Sequence, residues 1–326
     1  MLGGPPDGPA SPAREIQEYH METTSIVLEK ILFIGVLVAV GFLCGKLRII
    51  DHQTNLRLTD VLLLIVVPST ILSSYQITFT PELANNLLIA LGLAAVSHAL
   101  QLVCAYVLIR KGRPNTEVER ISTVYSNCGF MGIPLIHALY GAEGVLYLTA
   151  YLTCFNLLLF THGVVMMSGQ TDWKLMRKQL CSPALIATFV GVLIFLLRIR
   201  LPEVLVEAVG SLGSMNTPLA MLIAGASIAE SDLKACFCNR RIYWILAIKM
   251  LIIPAVVMLA MFRLPVDPTV LYVIVIAASC PTAAIGTMFA NRYGKNGGYA
   301  AQIFTLTTLV SLATIPLVAL AFGAML

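Results

Sequence analysis

The sequence predicts an all-α integral membrane protein: ten transmembrane helices forming two inverted five-helix repeats, with helices 4 and 9 broken and crossing. Three observations carry this. The 326 residues are 58% hydrophobic and only 12% charged, with a mean hydropathy of +0.86, whereas a soluble domain carries about 25% charged residues. The apolar residues gather into ten stretches of spanning length, since a bilayer core of about 30 Å needs roughly 20 apolar residues per helix. Matched residues also recur at an offset near 150.

Residues 1–25 are rich in Gly and Pro and show no apolar periodicity, which reads as a disordered N-terminal tail. No apolar core follows a basic start there, so no signal peptide is expected. The spans follow at 26–44, 59–77, 84–109, 121–139, 144–167, 183–199, 209–229, 241–263, 270–290 and 300–325. Connections between them are short, leaving no room for an inserted soluble domain. This divides the chain into a first repeat over 26–168, a connecting loop over 169–182 and a second, inverted repeat over 183–326.

Basic residues orient the spans. Loops after odd-numbered spans hold fifteen Lys and Arg: Lys46, Arg48, Arg57, Arg110, Lys111, Arg113, Arg120, Lys174, Arg177, Lys178, Lys234, Arg240, Arg241, Arg292 and Lys295. Loops after even-numbered spans hold only Arg198, Arg200 and Arg263. The odd loops are therefore expected in the cytoplasm and both termini outside, in the plasma or inner membrane of the cell. The net charge of +4 belongs to these flanks and gives no reason to expect nucleic acid. No cysteine falls in an outer loop, so reduced thiols are expected. The CFC run at 236–238 has the wrong spacing for a zinc pair and no nearby His, so neither a metal site nor a cofactor is expected.

The repeat shows in three pairs. YGAEG at 140–144 and YGKNG at 293–297 are 153 residues apart, Pro68 and Pro218 are 150 apart, and His98 and Lys249 are 151 apart. Five helices per half is an odd number, so the second half enters the membrane upside down. Inverted repeats of this kind are a transporter architecture with the site near the midplane.

SNCGFMGIPL at 126–135 lies mid-way along the fourth span, and its counterpart SCPTAAIGTM at 279–288 mid-way along the ninth. Glycine and proline serve in membrane helices as spacers and kinks. At matched depth in matched repeats they are read here as functional breaks. Proline removes a backbone donor, and glycine admits irregular dihedrals. Unwound backbone at membrane depth must face protein or a wet cavity. Half-helices starting near Gly132 and Thr282 would then aim free N–H groups at a crossing point. The candidate binding residues are Ser126, Asn127, Gly129, Gly132, Pro134, Pro281, Thr282 and Lys249. Such a set suits a carboxylate or another small anion.

Lys249, central in its span, costs about 2.5–3.5 kcal/mol to insert. It has three readings: a fixed cation beside the crossing, pairing with substrate or standing in for sodium; a proton carrier; or a side chain snorkelling to the cytoplasmic face. His98 is either a proton relay or a neutral histidine bonded to Gln101 or a carbonyl, the second being preferred. Asn156, Thr149 and Thr153 line a cavity or join helices. His137 and Glu143 have no nucleophile, metal set or oxyanion arrangement beside them, so no enzyme is expected.

NCGFMGIP at 127–134, NTPLAMLIAGASIA at 216–229, KMLIIP at 249–254, CPTAAIGTMFANRYG at 280–294 and SLATIP at 311–316 stand in an order that resembles the auxin efflux carrier family, bacterial relatives of the PIN-type auxin exporters. The likeness covers roughly residues 22–326. It implies the ten-helix, two-domain fold of bile-acid-symporter-like carriers. Helices 1, 2, 6 and 7 would form a scaffold and homodimer interface, and helices 3–5 and 8–10 a domain moving like an elevator. It also implies organic anion substrates such as malonate, malate or auxin. Asn127 matches the family's asparagine beside the first break and Pro281 its proline in the second. The connecting loop here is short, so the regulatory sites of the long plant loop do not carry over and auxin itself is not expected. The expected function is secondary transport of a small organic anion bound at the helix 4/9 crossover in a lipid bilayer, either as uniport or with proton or sodium coupling, the candidate coupling residues being Lys249 and His98. The alternative is a ligand-sensing membrane protein on the same fold without transport. Against it stands the absence of an appended soluble output domain.

Overall fold

A computed structural model of the chain describes residues 29, 32–170, 181–231 and 233–325. The predicted tail over 1–25 and most of the connecting loop over 169–182 lie outside the described residues. Within them the chain is helical and contains no strand. In order come α1 Leu32–Lys46, α2 His52–Ser74, α3 Pro81–Leu108, α4 Thr116–Val124, α5 Cys128–Ser168, α6 Pro183–Leu196, α7 Glu203–Glu230, α8 Leu233–Cys238, α9 Arg240–Met261, α10 Pro268–Ser279, α11 Ile285–Arg292 and α12 Gly297–Gly323. Six of these, α2, α3, α5, α7, α9 and α12, are long and apolar enough to cross a membrane, while α1, α6 and α10 are apolar but shorter.

The boundaries differ from the expected spans at two places. Predicted helices 4 and 5 run together through α5, kinked at Gly141 (φ 59°, ψ −146°), a conformation only glycine adopts without cost. The predicted fourth and ninth spans are each two pieces, α4 with the first arm of α5, and α10 with α11.

Prolines shape the helices. Wide π turns at Leu62–Val66, Cys128–Gly132 and Ile248–Ile252 each end two residues before a proline, Pro68, Pro134 and Pro254. A proline donates nothing to the carbonyl four residues back and its ring collides with it. Here those carbonyls belong to Leu64, Phe130 and Met250, all inside a wide turn, which removes the collision without ending the helix.

The helices pack in two groups. α2 lies antiparallel to α7, its first half against residues 216–230 and its last against 203–214, and also packs on α6. α1 meets α7 backbone to backbone: a Cβ on Gly225 would overlap the Val38 carbonyl, and one on Gly41 would lie 2.5 Å from the Leu222 oxygen. Small residues permit such approach between membrane helices. In the other group α3, α4, α5, α9, α10, α11 and α12 pack together. α10 is at its centre, buried from Val270 to Ser279 apart from Tyr272, which accounts for its lack of a polar face. Glu119 of α4 is 2% exposed and takes two bonds from Arg241 of α9, at 2.9 and 2.7 Å, and one from the Tyr299 hydroxyl of α12 at 3.1 Å. The outward faces of α1 and α3 carry exposed Leu32, Phe33, Val36, Leu88, Val103 and Val107, a surface suited to lipid.

Candidate functional site

The two interrupted segments meet. Tyr125 leaves α4 extended, and residues 125–127 run antiparallel to 281–283 through a bridge between Ser126 and Thr282. The Asn127 N–H donates to the Pro281 carbonyl at 2.7 Å and the Ala283 N–H to the Tyr125 carbonyl at 2.9 Å. Each unwound strand thus satisfies the other where water is absent. The Thr282 N–H donates to Thr307 Oγ1 at 3.2 Å, and its hydroxyl to the Ser122 carbonyl at 2.7 Å, fixing the crossing to α12 and α4.

Beyond the crossing the helices restart at Cys128 and Ile285. First-turn amides have no acceptor within their own helix. Gly129, Phe130, Ala284 and Ile285 occupy those positions, and all four line one cavity of about 440 Å³ together with Ser126 and Asn127. Asn127 is 5% exposed and its Nδ2 has no partner. The rest of the wall comes from α2, α5, α6 and α11. It is largely apolar, with Thr59, Asn156, Ser182 and Thr188 as polar members and Arg292 as the one charged side chain among the described residues lining it.

Of the predicted residues, Ser126, Asn127 and Gly129 line this cavity. Pro281 and Thr282 build the crossing behind it. Gly132 and Pro134 lie inside α5, away from the cavity, where Gly132 packs on Cys128 and Cys280. The half-helices start at Cys128 and Ile285 rather than near Gly132 and Thr282. The Asn127 carbonyl takes the Met131 N–H at 2.9 Å and opens the helix at once, leaving Gly132 and Pro134 to the wide turn.

Lys249 does not snorkel. It is fully buried, and its ammonium donates to Ser126 Oγ at 2.6 Å from the side away from the cavity. No carboxylate among the described residues lies within ion-pair distance of it. The Ser126 hydroxyl itself lies 3.1 Å from the Ala278 carbonyl and 3.4 Å from Gln101 Oε1. Gln101 Nε2 donates to the Tyr151 hydroxyl at 2.9 Å. His98 is also fully buried and is not among the cavity-lining residues; its Nδ1 donates to the Ala94 carbonyl at 2.8 Å, its Nε2 has no partner, and its ring lies 4.4 Å from that of Tyr151. Asn156 lines the cavity, whereas the Thr149 and Thr153 hydroxyls bond within α5 and to Tyr75.

Two contributions were not legible in the sequence: Gln101, expected only beside His98, meets Ser126, and Arg292, a loop cation by sequence, lines the cavity. The signal for Arg292 was the spacing Ile285, Met288, Phe289, Arg292, one face of a short helix.

A family model described as "Membrane transport protein" matches residues 26–173 and 170–319. A protein of Rhizobium meliloti (strain 1021) named "Putative malonate transporter" is 26% identical over 309 residues, 90% of this chain and 94% of the relative. An "Uncharacterized transporter" of Methanothermobacter thermautotrophicus is 22% identical over 295 residues, 89% of this chain and 96% of the relative. With a helical, apolar fold and a family match over most of its length, the chain belongs to the membrane transport protein family, that of the auxin efflux carriers.

Proposed function

We propose that this protein is a secondary transporter of a small organic anion, a carboxylate or dicarboxylate such as malonate or malate, held at the crossing and carried by an elevator-like motion. One observation carries the reading. The unpartnered Asn127 amide and the first-turn amides of two helices converge on a cavity with no acidic side chain among its described lining residues. Amides at helix starts favour negative charge. Behind them the Lys249 amine, when protonated, adds positive charge through Ser126. A coupled proton would be carried by Lys249 or by His98, whose Nδ1 is bonded to its own helix and whose buried Nε2 has no partner. The name of the Rhizobium relative points the same way.

The moving unit would be α3–α5 with α8–α12, and the scaffold α1, α2, α6 and α7. The cavity supports this division, because α2 and α6 form one wall and α5 and α11 the other. Ten spans in two inverted repeats, 26–168 and 183–326, are supported by contacts that swap between halves. Gly41 and Gly225 mark the α1–α7 contact, and Gly191 and Tyr75 the α6–α2 contact. Gly41 and Gly191 are 150 apart, as are Tyr75 and Gly225. Arg48 and Arg198, also 150 apart, both end a helix with positive φ, 58° and 55°. In both places the next residue's N–H reaches back at 2.9 Å, Ile49 to Cys44 and Ile199 to Ile194.

Thr59, Ser182 and Arg292, which line the cavity near the basic loops, support a mouth at that end. By the positive-inside rule that end is cytoplasmic, so this is an inward-facing state in the cell membrane with both termini outside. A homodimer would form through the scaffold. Uptake of labelled malonate into proteoliposomes tests the reading: wild type accumulates it and Asn127→Ala does not. Protein that binds malonate yet moves none across the bilayer would be a sensor on this fold.

A further inference from the structure

Arg292 closes α11, whose first residue, Ile285, stands at the crossing and whose Met288 and Phe289 form cavity wall between the two. Seven residues of helix set its Cα about 10 Å from that of Ile285. Side chains on a helix lean toward its N-terminus, and Arg292, exposed at the end of α11, is among the residues lining the cavity. No acidic side chain among the described residues pairs with it. A guanidinium offers planar paired donors that match a carboxylate. The cavity therefore presents two separate anion-recognising ends, the amide cluster at Asn127 and the cation at Arg292, joined by apolar wall from Met288 and Phe289.

Resting on the transporter reading above, we infer that Arg292 is a specificity-determining residue that binds the second carboxylate of a dicarboxylate, so that the site selects dicarboxylates over monocarboxylates of equal carbon number. The Asn127 end alone would accept either. The apolar wall of Met288 and Phe289 between them suits a methylene spacer. Arg292 also lies at the cytoplasmic mouth, so it meets the anion at entry and stays bonded to it once seated.

Calorimetric titration of purified protein in nanodiscs with succinate and with butyrate tests this. Wild type is expected to bind succinate at least tenfold more tightly. Arg292→Gln is expected to reduce that ratio to about threefold or less, and Arg292→Lys, which keeps the charge without the paired donors, to leave it intermediate. Thermal unfolding of both variants reports whether they are folded, and Arg292→Lys alone decides if Arg292→Gln is not. A wild type that binds both acids equally, or a ratio untouched in the folded variants, overturns the role of Arg292 while leaving an anion carrier standing. A wild type that binds neither acid withdraws the carrier reading and this inference together.

Discussion

Ser126 and Asn127 are neighbours on one extended strand, yet they serve opposite sides of it. Ser126 takes the Lys249 ammonium from the buried side, and Asn127 leaves its amide without a partner in the cavity. A buried donor left unpaired costs about 1–3 kcal/mol, which a bound anion would return. Lys249 acts at one remove, as a charge held behind the strand. Replacing it with Met keeps the volume, deletes one charge-assisted hydrogen bond worth about 1.5–3 kcal/mol and relieves a comparable desolvation of the ammonium. Lys249→Met is accordingly expected to unfold thermally close to wild type while binding malonate about tenfold more weakly, near 1.4 kcal/mol. Calorimetric titration and a melting curve check both halves. Unchanged affinity would leave Lys249 a purely structural residue.

At the scale of elements, the design alternates wide turns with close contacts. The π turns before Pro68, Pro134 and Pro254 keep α2, α5 and α9 continuous where a proline would otherwise break the ladder. One of them carries Lys249 itself. Elsewhere glycine brings backbones together, most tightly where Gly225 of α7 meets Val38 of α1. Gly225→Leu has no space for its side chain and must part the two helices. Overpacking of this sort costs about 1–3 kcal/mol, and a melting temperature lowered by several degrees in detergent is the expected reading. A variant as stable as wild type would mean that α1 is loosely held.

For the whole molecule, the cavity lies between two groups of helices, and the proposed inward-facing state opens it at the end bearing the basic loops. Thr188, on the α6 wall, reports that opening. With Cys181 and Cys238 replaced, Thr188→Cys is expected to react with a membrane-impermeant maleimide supplied from the cytoplasmic side in inside-out vesicles. Malonate should slow the labelling severalfold. Faster labelling from the opposite side would reverse the orientation assigned from the basic loops.

Much of this was decided along the chain. Scarcity of charge set the membrane class, glycine and proline marked both interruptions, and Ser126, Asn127 and Gly129 were readable as pocket residues, because hydropathy and backbone preference are properties of local sequence. Tertiary structure alone decided which side chains share the cavity. It moved Lys249 behind the crossing, took Gly132 and Pro134 into α5, brought Arg292 from a supposed loop to the mouth and joined Gln101 to Ser126. The physical reason is rotational. One residue turns a helix face by about 100°, so a single wide turn re-aims everything beyond it, and whether a side chain then meets cavity or core depends on neighbours far away in sequence.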